Sequence, residues 1–331
     1  MIKLKRILLI LFTFSMLFSS CNKNKEPLYG ISIDTSKMIK TPAEIFSLQH
    51  IQFFKASNDF ALSCLPYLLE KDTSIKVENF AISPFFLHFT LNKDSIFSEY
   101  LSSFENHYQI SPMDSNEREK FFISFVESVK EIDSSLCVAS NIIENNTDSI
   151  HIYQKFLFQT HCQEIELPQQ LYDSKDKYIN ISGDFSCLEN TEQYLVDIPI
   201  GNGNYLLTLI KPKKQHLKEY LKDFDENKYA ELLEQTKSIK TNIVFPLMEF
   251  NCKDRKINLM EDYLKFSFSL QKKIIIDYDF KIENFVNETI SFEKTLLNES
   301  NQQPTVFDKD FLFLIRGKNS NFILCIGYYK S

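Results

Sequence analysis

The sequence predicts an α+β protein in which mixed and antiparallel sheets pack against a cluster of helices. Three observations carry that reading. Near its end the chain holds two apolar runs, Phe311-Leu-Phe-Leu-Ile-Arg316 and Asn321-Phe-Ile-Leu-Cys-Ile-Gly327, on either side of a short polar segment opened by Gly317. That is the pattern of a β-hairpin too apolar to face water. The N-terminal third instead shows apolar residues at helical spacing, interrupted by one short strand. A content of 44% hydrophobic and 24% charged residues over 331 positions supplies a sizeable core.

The elements follow in order from the N-terminus. Lys3, Lys5 and Arg6 precede a twelve-residue apolar stretch, Ile7 to Phe18, too short for a membrane span and fitting a signal peptide. It ends Leu17-Phe-Ser-Ser-Cys21, similar to a bacterial lipoprotein box, so Cys21 is the expected lipidation site. An ordinary secretory peptide cut nearby is the alternative. Residues 1–20 then read as signal peptide, 21–40 as a polar tether and 41–331 as one domain, exported and lipid-anchored to the bacterial cell envelope. Thr41-Pro-Ala-Glu44 is a capping box that starts a helix with apolar positions through Leu68, which Pro66 is expected to kink or interrupt. Asn79-Phe-Ala-Ile-Ser-Pro84 is a short strand stopped by proline, and residues 114–131 are helical. Leu136 to Ile143 reads as a buried strand, Ile152 to Phe156 as an amphipathic helix, and Cys162 to Leu167 as a strand. Tyr194–Ile200 and Tyr205–Ile210 form a hairpin across Gly201-Asn-Gly203; residues 215–237 read as one charged helix and Ile257–Leu264 as another.

Taken in sequence these pieces resemble the serpins, protease inhibitors that trap a protease by inserting a cleaved loop into their own sheet. The residues that carry the resemblance are Asn79, Ser83 and Pro84 around the first strand, Asn141 after a small residue, Pro199 in the hairpin, and Phe311, Phe313 and Gly327 in the terminal hairpin. Each motif is weak alone; seven in the family's order are strong, and they span roughly residues 42–331. Phe86 stands where the family has a serine that supports sheet opening, and Asp310 where it has proline.

The resemblance also predicts what is lost. Only 15 residues separate Leu167 from Gly183, where the family carries helix F and the central strand of its large sheet. The expectation is therefore a reduced serpin-like fold lacking both, with Tyr178–Ile181 as a remnant of the strand. A reactive-loop remnant comprises Thr295, Leu296, Leu297, Asn298, Glu299, Ser300, Asn301, Gln302, Gln303, Pro304 and Thr305, following Glu293. Thr295 replaces the hinge glycine, Glu299 would carry a charge into the inserted strand, and Pro304 cannot donate to a ladder.

Other function classes fit poorly. Six glycines leave no phosphate-cradling motif, and a net charge of −7 without a basic stripe argues against nucleic acid. Lys211, Lys213 and Lys214 read as a solvated turn. The histidines lack metal-ligand spacing, so no metal, cofactor, small-molecule substrate or catalytic residue is expected. Besides Cys21, the cysteines are expected to be mostly free and buried. The leading functional expectation is a non-inhibitory, lipid-anchored scaffold that binds a protease or another envelope protein. An active inhibitor using the loop near 295–305 and a structural envelope lipoprotein remain as alternatives.

Overall fold

Helix α1 (Leu48–Glu70) forms where its apolar spacing requires: Phe53, Phe54, Ala56, Phe60, Leu62 and Leu65 are all buried. The computed structural model describes residues 48–70, 79–93, 95–132, 136–146, 148–165, 178–200, 203–252, 273–290 and 304–330. The capping box at Thr41, the helix expected at Ile257–Leu264 and Cys21 lie outside these residues. Of the two outcomes expected at Pro66, a kink or an interruption, the interruption does not occur, and α1 runs on to Glu70. The N–H it forfeits lies near the helix end, and burial of the face before it outweighs that loss.

Strand β1 (Phe80–Ile82) stops at Ser83, whose hydroxyl accepts from the Phe86 N–H at 3.3 Å and caps α2 (Pro84–Leu91). Pro84 takes the first helical position, where a missing N–H costs nothing. Helix α2 is apolar on every side and buried at Phe85, Phe86, Leu87 and Leu91, so it runs through the core. Helices α3 (Ser98–His107) and α4 (Ser115–Ile132) complete the cluster. Rings of Phe53, Phe85, Phe122, Phe125 and Phe322 meet with centroids 4.1–5.5 Å apart, mostly edge to face, joining three helices to the approach to the last strand.

The chain then turns to strands: β2 (Leu136–Asn145), β3 (Ser149–Ile165), β4 (Tyr178–Glu189), β5 (Gln193–Ile200) and β6 (Tyr205–Pro212). Two short helices follow, α5 (Leu217–Lys222) and α6 (Glu226–Glu234), in place of the single helix expected over 215–237. Asp225 divides them, because its carboxylate accepts from the Lys228 N–H at 2.8 Å and starts a new helix. Then come β7 (Lys237–Pro246), β8 (Glu249–Cys252), β9 (Lys273–Ile290), β10 (Thr305–Val306), β11 (Phe311–Gly317) and β12 (Ile323–Tyr329).

Three sheet regions result. One runs β1-β12-β11-β6-β5-β4, the second β10-β7-β4, and the third β2-β3-β9-β8. The terminal hairpin lies inside the first, with β11 hydrogen-bonded to β6 on one side and β12 on the other. Phe311, Phe313, Ile323 and Ile326 are 0% exposed, as the sequence predicts. At Gly327 an added Cβ would lie 1.9 Å from the Phe80 carbonyl oxygen and 2.6 Å from the Phe313 ring, so only glycine fits.

The third region overturns one expectation. Residues 149–165 form one strand, not a helix followed by a strand, and it lies between β2 and β9 in the third region. The cause is visible in the alternation. Ile150, Ile152, Gln154 and Phe156 are buried while His151 and Tyr153 are partly exposed, a period of two. A tight turn feeds the strand: the Asn146 side-chain oxygen accepts from the Ser149 N–H at 2.7 Å and the Asp148 N–H at 3.1 Å. Strand β3 is reached directly from β2 and is paired on both sides, by β2 and by β9. Tyr178–Ile181, expected as a remnant of the central strand, begin β4 and pair with β7, and Ile179 also pairs with Glu164 of β3.

Candidate functional site: a sheet seam and the segment that leaves it

Alternation fixes which residues of β3 and β9 face the core. Ile150, Ile152 and Phe156 do so from β3, and Ile274, Ile276, Tyr278, Phe280 and Ile282 from β9. The two strands run parallel and pair from Ser149↔Lys273 to Ile165↔Ile290, with irregularities near Thr160 and Gln163. The two strands form one parallel ladder.

Beneath the seam lies a buried polar cluster. The Gln154 amide bonds one backbone residue twice: its oxygen accepts from the Ser83 N–H at 3.0 Å, and its nitrogen donates to the Ser83 carbonyl at 3.1 Å. Thr90 approaches the Phe86 carbonyl at 2.8 Å and the Ser140 hydroxyl at 2.7 Å. His88 places Nδ1 2.7 Å from the Pro84 carbonyl and Nε2 3.1 Å from the Tyr100 hydroxyl. In the neutral ring Nδ1 donates and Nε2 accepts from tyrosine. Burial drives the His88 pKa down to about 4, and the Pro84 bond offsets this only in part. The cluster ties β1, α2, β2 and β3 together with polar groups matched in pairs, which gives the sheet a defined position over the helices.

Residues 291–304 connect β9 to β10 in the sequence. Strand β10 is firmly held. Thr305 and Val306 pair in parallel with Ile243 and Val244 of β7, and the Phe307 N–H donates to the Val244 carbonyl at 2.7 Å. Phe307 is buried, its ring 5.8 Å from Tyr194 and 5.4 Å from Phe311. Lys211 brackets it, its ammonium donating to the Val306 carbonyl at 2.6 Å and to the Asp308 carboxylate at 2.7 Å. Burial works to raise the Asp308 pKa, but the Lys211 hydrogen bond and charge outweigh it and the net result is lowered. Lys211 is thus no solvated turn residue, whereas Lys213 and Lys214 are exposed as expected.

The residues singled out from the sequence distribute as follows. Asn79 accepts from the Lys330 N–H at 2.7 Å through its side chain and from the Tyr278 hydroxyl through its carbonyl, fastening both chain end and β9 beside β1. Ser83 and Pro84 build the start of α2. Asn141 is exposed on β2 opposite Tyr153, and Pro199 pairs with Leu206 of β6. Of the loop residues, Pro304 precedes β10 and Thr305 belongs to it; Thr295 to Gln303 lie outside the described residues. Sequence reasoning missed Gln154, Thr90 and His88 as one cluster. A lone amide at the third inward position of an alternating apolar run was the available signal for Gln154.

No protein-family model matches the sequence, and neither does any curated protein. Solved structures do match the fold. SRPN18 from Anopheles gambiae aligns with a TM-score of 0.59 at 12% identity, covering 85% of this chain and 98% of that one. A tumour suppressing serpin gives 0.57 at 13% identity over 86% and 100% of the two chains. The mouse protein-Z dependent protease inhibitor gives 0.55 at 12% over 86% and 99%.

Proposed function

We propose that this chain, which has the serpin fold, works as an exported, lipid-anchored binding scaffold that engages a protease or another envelope protein without trapping it. The anchor is Cys21 and the contact is the segment 291–304. The protein needs no catalytic residue, metal or cofactor for this role.

One observation carries the reading: the face that an inserted strand must join is apolar, and the segment cannot match it. Period-two alternation allows two registers. One sends Leu296, Asn298, Ser300 and Gln302 inward; the other sends Leu297, Glu299, Asn301 and Gln303. Either buries three polar side chains against neighbours such as Ile152, Phe156, Ile276 and Phe280. An unpartnered buried polar group costs about 1–3 kcal/mol, and a charged one more. Pro304 adds a position without a donor. On this reading the obstacle to insertion is side-chain chemistry.

A second reading, an active trapping inhibitor, is favoured by that same seam, because β3 and β9 are the two strands between which a third would enter. Incubating the purified protein with a panel of serine and cysteine proteases separates the two. The scaffold reading predicts reversible binding or simple cleavage in 291–304. An SDS-stable complex with any protease would establish the inhibitor instead.

A further inference from the structure

We infer that a buried water-binding site lies between helix α6 and the first sheet region, where the Tyr229 hydroxyl meets Arg316, Asp197 and Thr208, and that the bound water ties α6 to the sheet. Strand register brings the three sheet residues together. Asp197 of β5 and Thr208 of β6 are directly opposite each other. Thr208 is opposite Leu314 of β11, and Arg316 follows two positions on, so all three share one face. They form a closed ring. Arg316 donates from Nε to the Thr208 hydroxyl at 3.0 Å and from Nη2 to the Asp197 carboxylate at 2.6 Å. Thr208 donates to the other Asp197 oxygen at 2.6 Å. From Nη1 the arginine also donates to the Asn321 side-chain oxygen at 2.6 Å, and the Asn321 carbonyl accepts from Asn58 of α1 at 3.0 Å. The ring is buried and so is closed to bulk solvent.

This ring has bonding capacity to spare. Arg316 uses three of its five guanidinium N–H groups, and Asp197 and Thr208 keep unused lone pairs. Beside it stands a group with the opposite problem. Tyr229 of α6 is 2% exposed, and its hydroxyl has no hydrogen-bond partner among the described residues. Burial is the main influence on that hydroxyl and pushes its pKa up, with Arg316 and then Asp197 acting on it next. Thr208 comes near enough to act on it as well, but without the geometry of a hydrogen bond. A buried polar group left unmet is costly, and protein interiors meet such groups with ordered water making roughly two to four bonds. Charge decides which ligand fits. Arg316 and Asp197 cancel, so a neutral molecule is favoured over an ion. It must accept from the guanidinium, donate to Asp197 or Thr208, and share one bond with Tyr229. Water is the smallest molecule that does all three.

Two measurements on the purified full chain test this. A high-resolution crystal structure should show an ordered water within about 3.2 Å of both the Tyr229 hydroxyl oxygen and an Arg316 nitrogen. An ion in that place, an empty gap, or a direct Tyr229–Thr208 hydrogen bond overturns the inference. Hydrogen exchange at the Leu232 amide of α6 then reports what the water does. Tyr229→Phe keeps the ring and removes one arm of the bridge, so this amide should exchange about fivefold faster, the effect of losing one ordinary hydrogen bond. The Phe313 amide of β11 should not change. Unchanged or slower exchange at Leu232 overturns the inference, because removing a truly unmet hydroxyl relieves a penalty instead of breaking a bond. An equal rise at Phe313 overturns it too, since that means general loosening.

Discussion

Replacing Phe313 by alanine should remove a central part of the core. The ring is fully buried, lies 5.0 Å from the Phe280 ring of β9, and fills the space left by the missing side chain of Gly327. Its strand is paired on both sides, by β6 and by β12, so the backbone cannot collapse inward to fill the cavity. A truncation of this kind costs about 3–5 kcal/mol. For a domain of this size about 2 °C of melting temperature is lost per kcal/mol, so Phe313→Ala should melt roughly 6–10 °C below wild type. Differential scanning calorimetry gives the answer. Gly327→Ala should destabilise too, and Phe313→Ala cannot fully rescue it, because the added Cβ still meets the Phe80 carbonyl. A Phe313→Ala melting temperature within about 2 °C of wild type would refute the reasoning, since it would place the ring outside the core.

Acidification should cost stability through His88, which is neutral and enclosed by Phe53, Phe60, Phe104, Tyr100 and the Pro84 carbonyl. Its folded pKa is lowered from 6.5 to about 4, so its contribution is complete above pH 6.5 and drains away as pH falls toward 4, roughly 3 kcal/mol in all. Chemical denaturation from pH 7.5 to 4.5 should therefore fall more steeply for wild type than for His88→Gln; parallel curves would remove His88 as the cause. At the N-terminus, palmitate labelling of the cellular protein should be lost in Cys21→Ser, and equal labelling of both would end the lipoprotein reading.

Much of the fold was legible in the sequence where a strong local pattern coincided with burial. The terminal hairpin is the clearest case, because two uninterrupted apolar runs around a turn have few other solutions. Helix α4 was legible through Phe121, Phe122 and Phe125 at helical spacing. The middle of the chain misled for physical reasons. Ile152-Tyr-Gln-Lys-Phe156 suits a short amphipathic helix as well as a strand, and only pairing with both β2 and β9 decides it. Helix α2 went unrecognised because an apolar run buried on every side has no amphipathic period to detect. The polar contacts were less legible still. Lys211 and Asp308 lie 97 positions apart, and Gln154 and Ser83 lie 71 apart, so only the folded register brings them together. A lysine followed by two more resembles a solvated turn until a carbonyl and a carboxylate are found at its tip.

The account turns on whether the segment 291–304 can enter the seam between β3 and β9. Insertion would exchange the parallel β3–β9 ladder for two antiparallel ones, but it would also bury Asn298, Ser300 and Gln302, or else Glu299, Asn301 and Gln303, among isoleucine and phenylalanine side chains. Comparing the thermal unfolding of intact protein with protein nicked once between Thr295 and Pro304 tests this most directly. A nick that only frees two ends in a crossing between strands should leave the melting temperature unchanged or slightly lower. A rise of tens of degrees would mean that the freed segment inserts, and would contradict the scaffold reading in favour of the trapping inhibitor.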